Sequence, residues 1–157
     1  MFFVLDDTLP IELLRKHDAA LAVAEHFRIR PRAWEEVAFS ASPGGDLNRI
    51  AWTLAKRLAE QEDLCFVKLK VVFESSESAD KAVNFRNQTG LDADAILRRC
   101  VVGDDAGVED WAALFGFAIA FGWDAVAFSR RKKALVWFSH DDYLRATPPS
   151  LVRRFWN

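Results

Sequence analysis

With 157 residues, 51% of them apolar, and a net charge of −2, the chain has the size of one packed domain and is too apolar to be disordered. That near-neutral balance argues against a generic nucleic-acid binder, which carries a basic stripe and a pI above about 9, and offers no strong attraction to an anionic membrane. Thirteen Phe and six Trp, each able to bury on the order of 150–250 Å², supply a core without cross-links.

Phe2–Leu5 is an apolar run ended by Asp6 and Asp7, which predicts an opening strand. A helix is expected from Thr8 to about Arg28. Pro10 stands in its first turn, and Leu13, His17, Ala20, Leu21, Ala24 and Phe27 fall on one face. Arg30-Pro31-Arg32 should stop it. Trp34–Ser40 reads as a strand, and Ser42-Pro43-Gly44-Gly45 as the clearest turn in the chain. Asp46 can cap a helix over Leu47–Gln61, whose stripe is Leu47, Ile50, Ala51, Leu54 and Leu58.

Leu64–Glu74 alternates Cys65, Val67, Leu69, Val71 and Phe73 against Phe66, Lys68, Lys70, Val72 and Glu74, a strand with one wetter face. After a polar loop at 74–78, a helix is expected from Ser78 to Gln88. Gly90 suits the left-handed position past its end. A short helix over Ala93–Arg99 and a strand Cys100–Val102 follow. Val108–Phe121 should be the most buried helix, apolar almost all round, with Glu109 and Asp110 at its dipole-favoured start and Gly122 past its end. Its apolar stretch Trp111–Trp123 is too short for a bilayer, which needs about 20 residues. Asp124–Ser129 and Ala134–Ser139 read as a hairpin around Arg130–Lys133, and a last short helix should start after Ser139. No repeat or linker divides the chain. The expected build is one α+β domain over residues 1–157, with a mixed or mainly antiparallel sheet of about five strands, helices packed on it and a C-terminal β-hairpin.

Ser139-His140-Asp141-Asp142 is the sharpest polar cluster. Histidine beside carboxylates can act as a general base or metal ligand. Ser139 with Asp142 three residues on also resembles a capping box, and capping is the favoured assignment. Asp104, Asp105, Glu109 and Asp110 form an acidic patch lacking calcium-loop spacing, so partner steering is expected of it rather than metal binding. His17 on the apolar stripe reads as a partly buried histidine. Cys65 should be an inert buried thiol, while Arg98 and Arg99 could depress the pKa of Cys100. Neither thiol belongs to a CxxC pair, and Met1–Pro10 lacks a secretory pattern, so reduced thiols in a cytoplasmic protein are expected. Arg130–Lys133 puts four positive charges on one hairpin tip. Phosphate-loop, nucleophile-elbow, dinucleotide and zinc motifs are absent.

With no catalytic motif, opposite-sign local patches and a surplus of Trp, the expected role is non-enzymatic protein binding. Size, class and composition are similar to those of the small cytosolic immunity proteins that neutralise bacterial toxins. The likeness implies a protein partner, such as a basic toxin domain, and no cofactor or metal; no motif carries it. Asp104, Asp105, Glu109 and Asp110 are then the expected partner-binding residues. The alternatives are a small enzyme assembled near His140 and Asp141, or a ligand sensor with an apolar pocket beside Trp111–Trp123.

Overall fold

A computed structural model describes residues 2–30, 34–41, 46–59, 63–70 and 79–153. The turn expected at 42–45, the strand and loop expected at 71–78, the helix stop at 31–32 and the terminal residues 154–157 lie outside the described residues.

The chain is α+β, and its described residues form seven strands in one sheet: β1 (Phe3–Asp6), β2 (Glu35–Ala38), β3 (Leu64–Lys70), β4 (Cys100–Gly103), β5 (Asp124–Ser129), β6 (Ala134–Ser139) and β7 (Tyr143–Thr147). Their order is β1-β4-β3-β5-β6-β7-β2. Every neighbouring pair is antiparallel. The sequence expectation of about five strands was too low. The C-terminal hairpin is instead a three-stranded meander, because the chain after Ser139 forms β7 between β6 and β2 and not a helix.

Among the described residues five helices pack on the sheet: α1 (Ile11–Leu14), α2 (Ala19–His26), α3 (Leu47–Ala59), α4 (Ala79–Thr89) and α5 (Val108–Phe121). The strand pleat sends alternate side chains to opposite faces. On one face Phe66, Ala125, Ala127, Val136 and Phe138 meet Leu54 of α3, Phe85 of α4 and Trp111, Leu114 and Phe115 of α5. On the other, Cys65, Val67, Val126, Phe128 and Leu135 meet Leu14, Val23 and Ala24. Both faces are therefore covered, which corrects the expected wet face of β3. Lys68 is 1% exposed. Its Nζ donates to the Ala93 carbonyl at 3.1 Å and lies 4.2 Å from the centre of the Trp123 ring.

Local signals placed several elements well. Asp46 Oδ1 accepts the Asn48 and Arg49 N–H groups and starts α3. Gly122 adopts the left-handed conformation (φ 66°) that ends α5, and Gly90 (φ 73°) follows α4. The long first helix, however, breaks at residues 15–18, where Arg15, Lys16, His17 and Asp18 are all exposed. Four consecutive polar side chains have nothing to bury, so the chain turns there. The buried face of α2 is Ala19, Ala20, Val23 and Ala24, and His17 lies outside it. Residues 93–96 form turns rather than a helix, and Leu97 makes a single parallel bridge to Lys68. No helix among the described residues is long and apolar enough to cross a membrane.

Candidate functional site

Gly122 turns the chain out of α5 and delivers Asp124 to the first position of β5. The neighbouring strand β6 ends at Ser139, so the antiparallel register brings the residue after it, His140, over Asp124. The His140 N–H donates to Asp124 Oδ1 at 3.1 Å. The ring Nδ1 lies 2.9 Å from Asp124 Oδ2 and 3.0 Å from Oδ1. An ionised carboxylate only accepts, so this contact places a proton on Nδ1 and turns Nε2 outward. The Asp124 side chain is 6% exposed and that of His140 27%, so the carboxylate is fixed in the sheet while the imidazole reaches the surface.

Sequence reasoning paired His140 with its neighbour Asp141, and the structure changes that order. Asp141 Oδ1 stands 3.4 Å from Nε2 with its side chain 67% exposed, a looser and wetter contact than the one to Asp124. The capping-box assignment fails as well. Ser139 Oγ accepts the Asp141 N–H at 3.1 Å within a turn between two strands. Asp142 occupies the left-handed region (φ 65°), which Asp tolerates better than most residues.

His140, Asp124 and Asp141 line a cleft of about 360 Å³ together with residues of the α1–α2 turn. Arg15, Lys16 and His17 come from that turn, and Arg98 enters from the segment before β4. Leu14, Leu69 and Trp137 supply apolar surface. Sequence reasoning missed Asp124, Arg15, Lys16 and Arg98 as partners of one site, since they come from three separate segments of the chain and no local motif links them.

The acidic patch divides. The Asp110 carboxylate accepts the Gly107 N–H at 2.8 Å and is committed to starting α5. Glu109 is exposed on the same turn. Asp104 and Asp105 are exposed too, and they line an open concavity of about 610 Å³ with Asp6, Asp63 and Arg130. The basic hairpin tip is not a separate patch. Arg130 Nη1 lies 3.8 Å from Asp6 Oδ2, and Arg131 Nε lies 3.9 Å from Asp63 Oδ2. The concavity borders Trp111, but carboxylates ring it, unlike the apolar pocket expected of a sensor. Among the described residues, no three His, Cys, Asp or Glu side chains converge as a metal site.

Both cysteines are buried on the α2 face, at diagonal positions of β3 and β4. The Cys100 thiol is held well above its ordinary range, first by its hydrogen bond with Cys65 and then by burial. This reverses the sequence expectation that Arg98 and Arg99 would lower it. Neither thiol should react with iodoacetamide in the native state, and both should label once the chain is unfolded in urea. Rapid native labelling at Cys100, read by mass spectrometry, would show an open and activated thiol instead.

Comparison with family models, with curated proteins and with solved structures finds no match.

Proposed function

We propose that the chain is a non-enzymatic protein-binding module of the inhibitor or immunity type, one that neutralises a partner protein such as a bacterial toxin. The observation that supports this reading is the open concavity in which Asp6, Asp63, Asp104 and Asp105 face one guanidinium, that of Arg130. Arg131 also reaches Asp63 from the rim, so four carboxylates against two cations leave a local charge of −2. Clustered like charges create a potential that draws a basic partner and fixes its approach, chiefly through the association rate. Exposed ion pairs such as Arg130–Asp6 and Arg131–Asp63 contribute little and exchange readily for pairs with a partner.

The test uses the protein that copurifies stoichiometrically with the tagged chain from its native cells. Reversing Asp104 and Asp105 to Lys should slow its association about tenfold at low salt and flatten the salt dependence, with dissociation changed less. Reversing Arg130 and Arg131 to Glu removes the internal counter-charges and should leave association as fast or faster. If the hairpin reversal abolishes binding while the acidic reversal does nothing, the partner is acidic and this reading fails.

A second reading, a small enzyme with a site assembled near His140 and Asp141, is favoured by one observation. A histidine oriented by a buried carboxylate borders a cleft of small-molecule size.

A further inference from the structure

The cleft beside His140 carries more positive charge than the chain itself neutralises. Arg15, Lys16 and Arg98 are contributed by two separate segments, and none makes an ion pair among the described residues. Of the two carboxylates of the cleft, Asp124 is held by His140 at Nδ1, while Asp141 lies 3.4 Å from Nε2 with its side chain largely exposed. With neutral histidines the lining has a formal charge of +1, two of its cations coming from the α1–α2 turn and the third from the segment before β4.

Two further features favour an anion there. Helix α2 opens beside the cleft at Ala19 and Ala20, and its N-cap residue Asp18 makes no side-chain cap. The first-turn N–H groups of α2 therefore donate nothing to the Asp18 side chain. The indole Nε1 of Trp137, in the same lining, is buried with no acceptor among the described residues. Buried donors without partners are rare in folded proteins and call for an explanation at each occurrence.

We propose that this cleft binds a small organic phosphate monoester, its dianion held by Arg15, Lys16 and Arg98, one of its oxygens accepting from the Trp137 indole N–H, and its apolar body lying against Leu14 and Leu69. Two guanidiniums and an ammonium supply more donors than a single carboxylate can accept. A phosphoryl group presents three oxygens and a double charge, and arginine matches it bidentately. A volume of about 360 Å³ falls within the range of small-ligand sites and leaves room for an organic group beyond the phosphate. The inference goes beyond the protein-binding reading and stands independently of it, since the acidic concavity shares no lining residue with this cleft.

Calorimetric titration of the full chain with phenyl phosphate tests it, with inorganic phosphate and benzoate as comparison probes. Phenyl phosphate should bind one to one and about tenfold more tightly than benzoate, and the Trp137 indole N–H resonance should shift during the titration. Arg15→Gln should weaken binding about tenfold or more, as should Arg98→Asn, the range expected for one charge-assisted contact. Asn is chosen because residue 98 has a left-handed backbone (φ 57°). Arg15→Lys should recover part of the loss. Melting curves identify any variant that fails to fold, and the indole shift in the unaltered protein then decides. The proposal is overturned by no binding at about 10 mM phenyl phosphate, where a site with a 1 mM Kd would be nearly filled. Benzoate binding as tightly as phenyl phosphate overturns it too, as does binding that survives both arginine variants.

Discussion

Phe115→Asp should abolish the cooperative fold. Phe115 is fully buried (0% exposed), with its ring centre 5.4 Å from that of Phe138, 5.9 Å from Trp111 and 6.3 Å from Phe66. Losing a buried Phe costs about 3–5 kcal/mol, and an unpaired carboxylate in the same place adds several more. The sum rivals the 5–15 kcal/mol that typically holds a whole domain together. Phe117, two residues on, is only partly buried. It packs edge-on to Phe85 at 5.1 Å and against Phe121 at 5.5 Å. Phe117→Asp leaves its carboxylate in reach of water and should cost about 1–3 kcal/mol. Thermal unfolding followed by circular dichroism separates the two variants. A folded Phe115→Asp protein with an unchanged melting curve would place α5 on the surface, where its apolar area would mark an interface.

Asp124→Ala should be the most damaging substitution in the candidate site. It removes the acceptor of both the His140 N–H and the ring Nδ1, two charge-assisted hydrogen bonds at a position 4% exposed. Such bonds contribute about 1.5–3 kcal/mol each and are not additive, so a loss of about 2–4 kcal/mol in urea unfolding is expected. Asp141→Ala, at a largely exposed side chain, should fall within about 0.5 kcal/mol of the parent. Nitrogen-15 spectra of the imidazole provide a second readout. The Nδ1–H tautomer should dominate in the parent and in Asp141→Ala, and lose its preference in Asp124→Ala. A costly Asp141→Ala beside a harmless Asp124→Ala would restore the sequence neighbour as the partner of His140.

Much of the fold was legible where a single short stretch holds all the information needed. Helix α5 was bounded correctly because its apolar run, its acidic first turn and Gly122 lie within fifteen consecutive residues. The Asp46 cap of α3 and the β5–β6 hairpin were readable for the same reason. Misreadings arose where one local pattern suits two structures. Ser139-His140-Asp141-Asp142 has the chemistry of a helix cap and equally that of a tight turn. Pairing of the following residues with both β6 and β2 decided for the turn. In β3, lysines at alternate positions suggested a face open to water. Trp123 and the Ala93 carbonyl enclose Lys68 from elements that alternation along one strand cannot reveal.

The candidate site belongs almost wholly to tertiary structure. The sequence alone determined that His140 follows a strand among acidic neighbours, and that Asp104 and Asp105 stand on a loop before a helix. Which carboxylate grips the imidazole was decided by the β5–β6 register, which sets Asp124 beside a residue 16 positions away. The meeting of Arg15 and Lys16 with Arg98 needed the break in the first helix and the covering of one sheet face by α1 and α2. The approach of Arg130 and Arg131 to Asp6 and Asp63 needed β1 and β5 to lie on the same side of the sheet order, separated by β4 and β3. Helical spacing and capping act over a few residues, and a sequence displays them directly. Strand order, register and the convergence of distant charges follow from burying two apolar faces at once, and only the folded chain satisfies both.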